Sequence, residues 1–289
     1  MVCNDSSSRS YLILDRFFID LASGTTRIRK TKMNNLTQAI RTEMLKARRS
    51  KMLLLTTVGF MLLPLMGGFF MIILKDPELA RRVGLISAKA QLVAGAADWP
   101  TLLNLLAQGI AIGGIILFGF IGSWVFGREY ANHTLKDLLA LPTARREIVL
   151  AKFVVVIGWS AALTTVVYFL GLGVGTAVGL PSASVGIFRQ GTITIAVSAA
   201  LTITLMTPIA FFASAGHGYL PPLGASILFI FLAQILAIAG WGDYFPWSIP
   251  ALYSQGNPIG WVSYVIVILT GIIGLVGTVL WWELADQVH

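Results

Sequence analysis

The chain has 289 residues, 56% of them hydrophobic and 12% charged, with a mean hydropathy of +0.79. A soluble domain carries about 25% charged residues, and here the few charges gather in short clusters between long apolar runs, which excludes an ordinary soluble fold and reads as an all-α polytopic membrane protein. The net charge of +8 flanks those runs and forms no single basic domain, so it points to cytoplasmic loops and not to nucleic acid.

Residues 1–32 differ from the rest. A polar, Ser-rich start leads to YLILDRFFIDLA, an apolar patch broken by Asp15, Arg16 and Asp20. It is too short and too charged to span and lacks the order of regions of a signal peptide. The segment reads as a disordered extension or as the product of a start assigned upstream of Met33. Cys3 is the only cysteine, so no internal disulfide is possible.

Residues 33–51 form an expected interfacial amphipathic helix on the cytoplasmic side. Leu36, Ile40 and Met44 share one face, and Arg41, Lys46, Arg48, Arg49 and Lys51 supply positive charge. Six spans follow in one transmembrane domain over 52–289, at about 52–74, 102–126, 153–178, 192–213, 223–240 and 260–282. Pro64 and Gly67-Gly68 kink the first. Gly113-Gly114, Gly119, Gly122, Gly171, Gly173 and Gly175 allow close helix packing. Asn104, Gln108 and Gln234 are read as interhelix hydrogen-bonding groups. No Asp, Glu, Lys or Arg lies deep in an apolar run, which argues against ion-coupled transport. The loop at 241–258 is rich in aromatics and proline and reads equally as an external cap or an interfacial anchor.

An even number of spans puts both termini on one side. The basic cluster at 41–51 and the Lys and Arg residues between the second and third runs place that side in the cytoplasm.

The segment 128–147 is too polar to span yet has helical periodicity. Tyr130, Thr134, Leu138 and Leu141 fall on one stripe, Leu135 and Leu139 widen it, and Pro142 ends it. This describes a short amphipathic helix between spans two and three. By composition it either rests on the membrane surface or docks into a groove on a cytoplasmic partner.

The stretch FGREYANHTLKDLLALPTARREIVLAKF resembles the coupling-helix region of ABC-2-type transporter permeases, in the bacitracin-resistance and lantibiotic-immunity branch. Glu129, Thr134, Leu135, Leu138, Leu139, Pro142, Arg145, Arg146 and Lys152 stand at matching places; His133 departs where Gly is common. The six spans, the amphipathic N-terminal helix and the YFPWSIPALY loop resemble that branch too.

The resemblance implies a bacterial inner-membrane permease of an ABC exporter, dimeric as homodimer or heterodimer, that carries an amphipathic or hydrophobic cargo such as a peptide antibiotic. It implies a coupling site of Glu129, Tyr130, Thr134, Leu135, Leu138, Leu139, Pro142, Arg145 and Arg146 docked on a cytoplasmic ABC ATPase subunit. ATP and Mg belong on that partner, because this sequence has no G-x-x-x-x-G-K-[ST] loop. No cofactor or metal is expected on the chain. His133, His217 and His289 are scattered, and neither H-E-x-x-H nor G-x-S-x-G occurs. The competing readings are an intramembrane enzyme, which needs convergent acid, base or metal groups, and a non-transporting membrane scaffold.

Overall fold

A computed structural model describes residues 35–76, 96–132, 134 and 144–284, and no strand occurs among them. The N-terminal extension, most of the segment between the first two spans, the final residues, and Leu135, Leu138, Leu139 and Pro142 of the expected coupling helix lie outside the described residues.

Residues 35–48 form α1. Ser50 then starts α2 (Lys51–Lys75), its hydroxyl oxygen accepting from the Met52 amide at 2.9 Å. Pro64 sits inside α2 without ending it. Asp98 opens α3 (Trp99–Ala131) by accepting from the Thr101 amide at 2.9 Å, with Pro100 in the first turn where no intrahelical donor is required. The fourth helix, α4, covers Arg145–Val178 and ends at Gly179, whose φ of 70° places it in the left-handed region. Lys75, at the end of α2, donates to the carbonyls of Val178 and Gly179 at 2.7 and 2.6 Å. One helix thereby supplies a cation to the unpaired carbonyl end of another.

The next span is broken. Its halves are α5 (Val185–Thr204) and α6 (Met206–Ala215), separated by one turn residue at Leu205. Pro208 lacks an amide hydrogen, which weakens the helix there. The Thr207 hydroxyl reaches the Gly271 carbonyl at 2.7 Å in the last helix. A Cβ at Gly274 would collide with the backbone nitrogen of Pro208, so this crossing requires glycine. The chain continues through α7 (Leu220–Ile238), a 3-10 turn (Gly242–Tyr244), α8 (Ile249–Ser254) and α9 (Trp261–Leu284).

Six stretches are long and apolar enough to cross a membrane: α2, α3, α4, α5 with α6, α7 and α9. The protein is a multi-pass, all-helical membrane protein. The helix α3 is central, touching α2, α4, α5, α6, α7 and α8. Leu106, Ile110, Phe118, Ile121 and Phe126 on α3 are fully enclosed, and Phe118 stacks on Phe60 of α2 at 5.1 Å. Outward-facing side chains such as Leu54, Phe231 and Ile273 are 64–70% exposed and apolar, as contact with lipid requires.

Two expectations are corrected. The second and third spans extend well beyond their apolar runs, so Arg128, Glu129 and Lys152 belong to spanning helices and not to a loop. A hydropathy window stops at charge, whereas a helix continues wherever its charges are paired against protein. The expected interhelix hydrogen bonds of Asn104, Gln108 and Gln234 do not form among the described residues. The face of α1 that turns inward carries Glu43 and Ala47, while Met44 is 40% exposed. Of the packing glycines, Gly114, Gly119, Gly122, Gly171 and Gly175 do meet other helices, whereas Gly113 and Gly173 face open space.

The 241–258 loop folds back into the bundle. Trp247 stacks on Phe229 of α7 at 3.8 Å, and Ile249 is completely enclosed.

Candidate functional site

Three helices converge where α3 ends and α4 begins, and five charged side chains meet there. Glu43 and Lys46 come from α1, Arg128 and Glu129 from the last turn of α3, and Lys152 from α4. Glu43, Arg128, Glu129 and Lys152 are all buried, Lys152 completely. Arg128 donates from Nη2 to Glu43 Oε2 at 2.7 Å and from Nε to Glu129 Oε2 at 3.0 Å. Lys152 Nζ reaches Glu129 Oε1 at 3.1 Å, Glu43 Oε2 at 3.4 Å and the Val125 carbonyl at 2.9 Å. The half-exposed Lys46 closes the rim, 2.9 Å from Glu43 Oε1 and 3.1 Å from Glu129 Oε1. The guanidinium of Arg128 also lies over the Trp124 ring at 4.8 Å.

The inner two carboxylates and two cations balance, and each carboxylate touches both cations. Mutual attraction offsets the desolvation of each charge, but removing one partner strands the others at a cost of about 3–5 kcal/mol. The cluster therefore fixes the relative positions of α1, α3 and α4. It offers no vacant ligand position, because every member is already engaged by another.

A second set of contacts ties the same end to α6 and α9. Tyr130 sits edge-on to His217 at 4.9 Å and to Trp282 at 6.1 Å. Trp282 is fully enclosed and donates from Nε1 to Ser214 Oγ at 3.0 Å. Its carbonyl accepts from Arg145 Nη1 at 3.3 Å. Tyr219, just before α7, has its phenol pushed up by burial; Arg128 opposes that shift and Glu129 adds to it.

Of the residues expected to form the coupling site, Glu129 is in the ion cluster, Tyr130 and Arg145 are in the aromatic set, and Arg146 is exposed. The Thr134 amide donates to the Glu129 carbonyl at 3.1 Å, just past the end of α3. Glu43, Lys46 and Arg128 were not singled out from sequence as site residues. One signal was present: Glu43 is the sole acid among the cations of residues 34–51. Glu147 is a further buried carboxylate, in the first turn of α4, where the helix N-terminus favours negative charge. No group of three or more His, Cys, Asp or Glu residues suited to a metal occurs among the described residues.

Residues 39–233 match the family described as ABC-2 family transporter protein. Over 182 residues the chain is 29% identical to the bacitracin transport permease protein BCRB of Bacillus licheniformis, covering 60% of this chain and 85% of that one. The family match takes in the whole ion cluster and the segment between α3 and α4, and it stops within α7.

Proposed function

We propose, for a chain that belongs to the ABC-2 transporter family and is the membrane component of a transporter rather than an enzyme, that it is the permease of an ABC exporter driven by a separate cytoplasmic ATPase. The observation that carries this reading is the buried ion cluster, which clamps both helices flanking residues 132–144 to each other and to α1. A segment attached at both ends to so stiff a frame transmits displacement instead of absorbing it. Force applied to it moves α1, α3 and α4 together. Through Arg145 and Tyr130 it also moves the end of α9.

Glu129, Tyr130, Thr134, Leu135, Leu138, Leu139, Pro142, Arg145 and Arg146 form the coupling element in this reading. The apolar stripe of Leu135, Leu138 and Leu139 docks on the ATPase, in the manner of an amphipathic helix in a groove. Glu129 and Arg145 are the anchors that pass the motion inward. ATP and Mg reside on the partner. The α3–α4 end faces the cytoplasm, as do both termini, in agreement with the Lys and Arg bias. The cargo is amphipathic or hydrophobic and leaves outward across a bacterial cell membrane; the peptide named for the relative sets the example. A second permease copy, identical or related, completes the assembly.

The test is co-reconstitution with the candidate ATPase. Leu138→Asp is expected to abolish stimulation of ATP hydrolysis by the permease, and Glu129→Gln to leave ATPase binding but cut transport at least tenfold. Undiminished transport by both variants refutes the reading. Substrate-stimulated ATP hydrolysis in the wild-type complex excludes a passive scaffold. A cysteine placed at Leu138 in a Cys3→Ser background should react with an impermeant maleimide only from the cytoplasmic side.

A further inference from the structure

The fourth crossing divides at Leu205 between two sets of neighbours. Its first half, α5, packs most heavily on α3, and its second half, α6, on α9. Pro208 brings no amide hydrogen, so the Thr204 carbonyl lacks the backbone donor four residues on. The Thr207 hydroxyl serves it at 3.1 Å while also reaching the Gly271 carbonyl at 2.7 Å. A hydroxyl has one proton, so two carbonyls share it, which makes a weak lock for a joint inside a spanning segment. The α6 half also has room beside it. A hollow of about 300 Å³ flanks it, lined by Pro208, Phe211, Phe212, Phe229 and Gly274. Where α6 meets α3, Met206 lies against Gly122, a flexible thioether on bare backbone.

The far end of α6 is tied to the coupling end by one enclosed residue of α9, Trp282. Its Nε1 donates to Ser214 Oγ at 3.0 Å, its carbonyl accepts from Arg145 Nη1 at 3.3 Å, and its ring is edge-on to Tyr130 at 6.1 Å. Arg145 and Tyr130 stand on either side of the segment assigned above to the ATPase. None of these ties is an ion pair, whereas ion pairs lock α1, α3 and α4 into one body. We propose that Trp282 is the positioning residue that carries motion of the coupling end to α6, and that α6 swings as a lever about Leu205–Pro208 while α5 stays with α3. The arm has 10 residues. At about 1.5 Å per residue, a swing of about 20° carries its tip about 5 Å. The assignment takes its source of force from the exporter reading above.

The experiment is distance measurement by pulsed electron paramagnetic resonance on the full chain in nanodiscs, in a Cys3→Ser background and diluted with unlabelled chain. One sample carries spin labels on Val154→Cys and Ala215→Cys, the other on Val154→Cys and Ile193→Cys. Val154 and Ile193 are exposed on α4 and α5, and Ala215 ends α6. In complex with the candidate ATPase, trapping with ATP and vanadate should shift the 154–215 distance by about 3–5 Å and the 154–193 distance by less than about 1 Å. Trp282→Phe keeps a ring beside Tyr130 but loses the donor, and Ser214→Ala loses the acceptor. Each should at least halve the shift, and the double variant should do no worse than the stronger single one. Pro208→Ala gives the Thr204 carbonyl a backbone donor. It should abolish the shift with a melting temperature at or above that of wild type, a combination that a merely structural proline would not produce.

An unmoved 154–215 distance in a complex whose ATP hydrolysis the permease stimulates, or a full shift in Pro208→Ala, overturns the lever and leaves the exporter reading. A full shift in both Trp282→Phe and Ser214→Ala overturns the role of Trp282. The joint is also read without the ATPase. There the 154–215 distribution should be the broader of the two and should narrow in Pro208→Ala, and equal widths would sink the lever whatever the ATPase does. A broad, Pro208-dependent distribution in a chain that neither binds nor stimulates the ATPase would remove the exporter reading alone.

Discussion

The two ends of the bundle are built on different chemistry. Where α3 meets α4, five ionised side chains are packed between three helices, and four of them are buried. At the far end, the fold-back segment around α8 is held by aromatic stacking of Trp247 on Phe229 and by hydroxyls such as Ser248 on backbone carbonyls. Buried ion pairs tolerate little displacement, because separating charges in a low-dielectric setting raises the energy steeply. Stacked rings and neutral hydrogen bonds slide and re-form at a smaller cost. The contrast makes one end of the bundle stiff and the other more yielding.

Substitutions can break that contrast, and the largest effect should fall at Glu129. Glu129→Ala leaves three cations around Glu43, and about 3–5 kcal/mol of stability should be lost. Thermal unfolding of the protein in nanodiscs measures it. Glu43→Ala should behave alike, since Glu43 and Glu129 make the same kinds of contacts. Lys152→Met removes one cation but keeps two others, so its effect should be smaller. Combined with Glu129→Gln it should show coupling of at least about 0.5 kcal/mol in a double-mutant cycle.

Next in size comes the crossing that joins α6 to α9. Gly274→Ala must push the helix away from Pro208, a change expected to cost about 1–3 kcal/mol and to be read as a lower melting temperature. At the far end, Trp247→Leu keeps an apolar side chain and gives up the stack on Phe229. The expected loss is about 1 kcal/mol, well below that at Glu129. A loss at Trp247 equal to that at Glu129 would erase the distinction between the ends.

The smallest effect should come from salt and from the rim. Lys46 is 37% exposed at its side chain, so Lys46→Met should cost under about 1 kcal/mol. Raising salt from about 0.05 to about 0.5 M should weaken only that rim contact, since enclosed pairs are screened far less than exposed ones. A steep fall in melting temperature with salt would mean that water reaches the inner charges.

The residues that were misplaced from sequence share one property. Arg128, Glu129 and Lys152 look like loop residues because each is charged and stands beside an apolar run. Their helical, buried state depends on Glu43, 85 residues away from Arg128 along the chain. A linear pattern does not show which distant carboxylate will neutralise a cation. On α1 the stripe with Glu43 docks inward because partners for that carboxylate wait there, and Met44 of the more apolar stripe is left outward. Gln234 failed in the opposite sense, since a reasonable expectation of an interhelix partner met an open pocket.

Apolar run length and the clustering of charge fixed six crossings and the all-helical class, because a backbone in hydrocarbon must bond to itself whatever surrounds it. That requirement is local, and the sequence carried it alone. Which charges became buried, where the fourth crossing broke at Leu205, and how the 241–258 loop folded back were decided only when helices met. Each of those outcomes depends on a partner supplied by another part of the chain, and the energy of a pair exists only once both members are in contact.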